Sequence, residues 1–296
     1  MIFLKKIFDF YIKSSLHLGI CVVSLYCVGI FKQKLDFSFL LIIFLFCSTI
    51  IVYNSIKYSS INKYYFETKK SIINNIQLLS FSCLIILLFS LFFLKLETIL
   101  FGVLLFIICL LYAFPIGLSN SNLRNVGKVK LFLVAVCWST STIVLPAIEN
   151  EIQNIYQTII LTIQFFILVI IYTIPFEIRD MEHDSKDLKT IPQLMGIKNS
   201  KRLAYLLIAV FYVLSIENFS INFLKESDLL ISILLILIIY LTKKNQYKYF
   251  ASFWVESVPI YWVLIILLAS KYSFLFFVYL YLELVFIKVL KVELKD

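Results

Sequence analysis

Long apolar runs alternate with short polar ones from one end of this chain to the other. The runs fall near residues 15–31, 37–53, 78–94, 98–115, 131–147, 157–174, 203–219, 228–241 and 253–269. A further run, 272–287, carries Glu283 near its end and reads as either a tenth crossing or an interfacial helix. A helix crosses the hydrocarbon layer in about 20 residues. No two-residue alternation over ten-residue segments marks a barrel, and lipid offers the backbone no hydrogen-bond partner, so the runs are expected to be helices. The pattern predicts an all-α integral membrane protein of about nine spans, ten if the last run crosses, folded as one domain over residues 1–296. Residues 1–13 carry Lys5, Lys6 and Lys13 among apolar positions and read as a short interfacial amphipathic segment rather than a removable signal peptide.

Charge gives the runs a direction. Of the 27 Lys and Arg residues, 19 lie in the N-terminal segment and in the loops after the second, fourth, sixth and eighth runs, and five in the loops between. The positive-inside bias therefore puts the N-terminus and those even-numbered loops in the cytoplasm, as in a bacterial inner membrane protein. The net charge of +9 is a topology signal with anionic membrane lipid as its natural partner. The cations are spread over loops, which gives no footprint for nucleic acid. The six cysteines all fall within apolar runs without metal-ligand spacing and read as small buried hydrophobes.

Three cytoplasmic loops hold most of the polar chemistry. The stretch 177–192 packs five carboxylates, His183 and three cations into a chain only 15% charged. Continued as a helix it would set Asp180, Asp184 and Asp187 near one face. Their mutual repulsion is relieved most simply by a hard divalent cation with oxygen ligands, although a solvated mixed-charge loop is the bland alternative. After the second run, Asn54, Tyr58 and Asn62 recur every four residues, with Ser55 and Lys57 beside them. After the fourth come Tyr112, Pro115, Arg124 and Lys128. His17 reads as a buried, hydrogen-bonded side chain and His183 as a surface residue. Glu256, costly in lipid, is a functional candidate by default unless it sits at headgroup level beside Lys248.

At these residues the sequence resembles the UbiA family of intramembrane prenyltransferases. Arg179-Asp180-x-x-x-Asp184 followed by Lys189-Thr190-Ile-Pro192 and Gly196 is similar to the family's second aspartate-rich motif, and Tyr112 and Pro115 to its tyrosine-proline segment. The first motif departs: where the family has N-D-x-x-D-x-x-x-D, this chain has Asn54-Ser55-x-x-Tyr58-x-x-x-Asn62, with no carboxylate. The resemblance implies a UbiA-like helical bundle that moves a prenyl group from an isoprenyl diphosphate to a hydrophobic acceptor of aromatic or quinone type. It implies Mg²⁺, one ion rather than two given the altered first motif, held by Asp180 and Asp184 with Asp187 as a weaker third ligand. Asn54, Lys57, Tyr58, Tyr112, Arg124, Lys128 and Lys189 become the expected substrate-binding residues, and Arg179 a tie to a carboxylate. Against this stand plainer readings: Arg124 and Lys128 as topology determinants, and Asn54 and Tyr58 as interhelical hydrogen bonders. The loss of three aspartates also leaves open a non-catalytic relative that binds an isoprenoid lipid or a membrane partner. A transporter fits less well, since the runs lack midplane charge pairs and Gly/Pro interruptions.

Overall fold

A computed structural model describes residues 2–58, 70–113, 129–184, 188–218 and 222–269, all of them helical or in turns and connections, with no strand among them. The interfacial segment is α1 (Ile2–Lys13), followed by α2 (Leu16–Gln33), α3 (Phe39–Lys57), α4 (Lys70–Leu91) and α5 (Leu96–Ala113). Then come α6 (Val129–Ser139), a π-helical turn (Thr140–Val144), α7 (Leu145–Glu149), α8 (Ile155–Asp180), α9 (Ile191–Asn218) and α10 (Asn222–Leu241). A second π-helical turn (Phe250–Val255) leads into α11 (Val258–Ala269).

Seven of these stretches are long and apolar enough to cross a membrane, counting α6 to α7 as one and the second π turn with α11 as another. The two other expected spans fall on α5, whose apolar part is Leu96–Leu111, and on α10, which opens with Lys225, Glu226 and Asp228. The run 272–287 lies outside the described residues.

Local chemistry explains the boundaries. The Ser38 side chain caps α3 by accepting from the Leu41 amide at 3.3 Å, and Asn154 caps α8 by accepting from Gln157 at 3.0 Å. The αL residue Lys34 ends α2. Within α9, Gly196 has φ 76°, a left-handed conformation that a side chain resists, and the helix kinks there. Gly29 lets α2 approach the first π turn closely: a Cβ at that position would stand 2.7 Å from the Thr142 carbonyl oxygen.

The helices contact one another in the order α4, α3, α2, α11, α10, α9, α8, α6, α5, an incomplete ring whose ends are α4 and α5. Its core is packed by Trp262, Tyr26, Phe165 and Phe211, all fully buried. Leu78, Phe81, Ile85 and Leu100 are exposed on α4 and α5, as lipid-facing side chains should be. All six cysteines are free thiols, and Cys21, Cys47 and Cys83 are buried.

Far from α1 lies a polar cluster that hydropathy conceals. Lys32 donates to Asp228 at 2.5 Å with both side chains fully buried. Gln164, Ser215, Ser227 and Trp262 also donate to that carboxylate. Lys32, counted in the sequence among loop cations, is thus an interior residue that ties α2 to α10.

Candidate functional site

The ends of α3 and α8 meet α1 and the second π turn at one mouth. α3 brings Lys57 and, one residue on, Tyr58. The Tyr58 hydroxyl donates to the Lys13 carbonyl at 3.0 Å and Lys57 Nζ to Ser15 Oγ at 3.2 Å, which fixes α1 against α3. α8 delivers Phe176, Arg179 and Asp180 in its last turn. The π turn widens the helix by one residue and leads into Glu256, an arrangement that recurs at functional sites. Lys57, Tyr58, Phe176, Arg179, Asp180 and Glu256, with Asp9, Lys13, Lys248 and Tyr249, line a cavity of about 800 Å³.

Behind the mouth the cavity follows α3 inward between the two ends of the ring. Its wall passes from Tyr53 and Trp138, hydrogen-bonded to each other at 2.8 Å, to Phe44, Leu45, Leu91, Ile99 and Gly102. From Lys57 back to Phe44 is thirteen residues of α3, roughly 20 Å at 1.5 Å per residue. The chamber is thus charged at one end and apolar along its length, the form of a site for an amphipathic ligand.

Among the described residues lining it, four cations (Lys13, Lys57, Arg179, Lys248) face three carboxylates (Asp9, Asp180, Glu256). Arg179 grips Asp180 through two bonds, Nε to Oδ1 at 2.7 Å and a terminal nitrogen to Oδ2 at 2.8 Å, and lies over the Phe176 ring at 5.2 Å. Lys57 and Arg179 share this lining with Glu256. Asp9 holds Lys248 at 2.9 Å and accepts from the Tyr249 hydroxyl. Those bonds, Tyr249 first, hold the Asp9 carboxyl below its ordinary range.

Of the residues expected from sequence, Lys57, Tyr58 and Asp180 come together at this mouth. Asp184 sits one turn past Asp180, its amide bonded to the Asp180 carbonyl at 2.8 Å and its own carbonyl accepting from Gln193 at 3.2 Å. It is not among the lining residues. Asn54 is buried between α3 and α4, where it donates to Ser80 at 3.0 Å, the interhelical reading of that residue. Ser55 is exposed, and so is Lys189, with φ 42°. Tyr112 closes α5, but its side chain lies outside the described set, as do Asn62, Arg124, Lys128 and Asp187 altogether. Among the described residues no three His, Cys, Asp or Glu side chains gather as a metal cage. His17 is buried and hydrogen-bonded by Tyr11 at 2.8 Å, as expected, and His183 is exposed. Glu182 pairs with Lys244, away from the mouth lining.

Sequence reasoning missed Asp9, Lys13, Lys248 and Tyr249 as site residues. The available signal was that the amphipathic N-terminal segment and the loop after the eighth run lie on the same cation-rich side as the acidic stretch.

No protein-family model matches the sequence and no curated protein matches it. Solved structures do match. The apo structure of a UbiA homologue from Aeropyrum pernix K1 superposes with a TM-score of 0.59 at 15% identity, covering 86% of this chain and 98% of that one. A UbiA homologue from Archaeoglobus fulgidus bound to GPP and Mg²⁺ gives 0.58 at 15% identity, covering 87% and 98%. A structure of digeranylgeranylglyceryl phosphate synthase gives 0.51 at 19% identity, covering 90% and 97%. This chain is a helical membrane protein with the fold of the UbiA homologues.

Proposed function

We propose that this protein is a membrane prenyltransferase that moves a prenyl group from an isoprenyl diphosphate to a lipid-soluble acceptor of aromatic or quinone type. The observation that carries the reading is the single chamber, cationic at its mouth and apolar for roughly 20 Å behind it. Lys57, Arg179 and Tyr58 would receive the diphosphate, and the apolar wall the chain. An extended chain reaches roughly 1.2 Å per bond, judged from the reach of an extended polypeptide, so about four isoprenoid units fit the depth. GPP, DMAPP and Mg²⁺ are bound by UbiA homologues of Archaeoglobus fulgidus, which supports the ligand class.

The donor set accommodates one Mg²⁺. That ion commonly takes one or two carboxylates, several waters and substrate phosphates, and Asp180 and Asp184 supply the carboxylates without a larger cage. When bound, the ion supplies electrostatic stabilisation to the leaving diphosphate. Lys57 and Arg179 do the same from the protein side, while Trp138, Tyr53 and Phe176 keep water from the allylic carbon as its bond to oxygen breaks.

The decisive assay is the purified protein with geranylgeranyl or farnesyl diphosphate, with and without Mg²⁺, followed by diphosphate release and by thermal shift. Ligand that binds only the folded form should raise the midpoint. Lys57→Ala should weaken diphosphate binding by about 1.5–3 kcal/mol, the contribution of a charge-assisted hydrogen bond; unchanged affinity removes Lys57 from the site. A non-catalytic isoprenoid binder is the second reading, favoured by the Arg179 grip on Asp180 and the carboxylate-free first motif. Binding without diphosphate release would select it.

We propose that the N-terminus and the mouth face the cytoplasm, in a bacterial inner membrane, a reading supported by the cation asymmetry of the loops. A cysteine at position 244 should label from the cytoplasm and one at position 151, where Glu151 pairs with Lys95 at 2.8 Å, from the opposite face. Labelling of both from one face refutes this orientation.

A further inference from the structure

α1 is more than an interfacial anchor. It lies along the mouth, with Asp9, Ile12 and Lys13 in the cavity wall. Its hold on the other side of the mouth comes from two kinds of contact. Phe8 packs edge-on against Tyr249 at 4.9 Å and Phe253 at 5.1 Å between centroids. Asp9 accepts from Lys248 Nζ at 2.9 Å and from the Tyr249 hydroxyl. Lys248 also lies over the Tyr249 ring at 4.8 Å, so the cation and the hydroxyl form a preset pair of donors. A cation beside a phenol hydroxyl suits a phosphate oxygen as well as it suits a carboxylate. Both donors belong to the same cavity wall as Lys57 and Arg179.

Resting on the diphosphate reading above, we infer that Lys248 and Tyr249 are an additional binding pair for the diphosphate, and that Asp9 occupies that pair as an internal carboxylate which the substrate displaces. Binding then exchanges one anion for another at fixed donors, and α1 loses its polar hold on Lys248 and Tyr249 while the aromatic contacts of Phe8 and the Tyr58 bond to the Lys13 carbonyl remain. The Tyr249 and Lys248 bonds lower the Asp9 carboxyl from its ordinary acidic range, so at neutral pH the internal competitor is charged. The arrangement makes the N-terminal helix part of the binding equilibrium.

Two substitutions should then act with opposite sign. Lys248→Met, which keeps an unbranched apolar stem but no ammonium, should weaken binding of inorganic diphosphate and of geranylgeranyl diphosphate about tenfold. Asp9→Asn should tighten both several-fold. Simple electrostatics also predicts tighter binding when a carboxylate near the mouth is neutralised, so the double variant decides. If Asp9 competes for Lys248, the gain from Asp9→Asn should largely vanish in the Lys248→Met background, whereas a through-space effect would persist there. A spin-label pair on α1 at Leu4 and on the loop at Lys244 should lengthen or broaden when diphosphate is added to the full-length protein. Failure of the parent to bind either diphosphate would overturn this inference together with the prenyltransferase reading. Normal binding with additive effects in the double variant, or with both single variants equal to the parent, would overturn the exchange alone.

Discussion

Asp228→Ala is expected to destabilise the protein by about 3–5 kcal/mol, because it strands a buried cation. Lys32 has no exposed surface, and its ammonium is held by Asp228 at 2.5 Å, by Gln164 at 3.2 Å and over the Trp262 ring at 4.5 Å. With the carboxylate gone, Gln164 and the ring offer partial compensation for a full charge. Ser215 and the Trp262 indole nitrogen would also lose their Asp228 acceptor. Lys32→Met should cost a similar amount by leaving the carboxylate unpaired. The double variant Lys32→Met/Asp228→Ala should be less destabilised than either single, retaining about 1–3 kcal/mol for the orphaned Gln164 and Ser215 groups. Thermal unfolding in one detergent, run for all four proteins, measures the coupling. Costs that simply add would show that the pair does not act as a unit. Lys32 is fifteen residues along α2 from His17, which is bonded near the mouth, so roughly 22 Å separates the network from the diphosphate end. Each folded variant should therefore keep its response to diphosphate.

That network also shows where sequence reading stops. Hydropathy places helices well because lipid forces every backbone group into an internal bond, so α2, α3 and α8 follow their apolar runs closely. It cannot tell a loop lysine from one folded inward, since Lys32 stands at the end of a run in either case. Asn54 illustrates the converse: its four-residue spacing with Tyr58 suggested one face, yet the two side chains go to different neighbours, Ser80 on α4 and Lys13 of α1. A helix face spans enough arc for adjacent members to meet different partners. Arg179-Asp180 was legible because its residues are contiguous. Asp9 and Lys248 were not, since 239 residues separate them and only tertiary contact joins them. The π turn before Glu256 leaves no composition signal, so its re-aiming of that carboxylate toward the chamber emerges only from the fold.

Asp180→Ala is the substitution whose sign separates the two functional readings. Asp180 has two possible employments at the mouth. As a metal ligand it attracts the ion that neutralises the diphosphate; as the partner of Arg179 it restrains a cation that could contact the diphosphate itself. Removing it loses the first and releases the second. If one Mg²⁺ works at this site, turnover should fall about 10²–10³-fold, the scale of losing one preorganised electrostatic contact to a developing charge. The Mg²⁺-dependent thermal shift should disappear with it, while diphosphate binding without Mg²⁺ should hold or tighten as Arg179 is freed. Asp184→Ala should reproduce the loss of the Mg²⁺ shift without that tightening, because Arg179 stays engaged by Asp180. Glu182→Ala should leave both readouts near the parent, since Glu182 pairs with Lys244 rather than lining the chamber. Equal losses for all three acids would mean that only the net charge of the loop matters. A parent whose diphosphate binding ignores Mg²⁺, together with an Asp180→Ala variant that binds more tightly at every Mg²⁺ concentration, would turn the chamber into a cation-lined lipid diphosphate receptor.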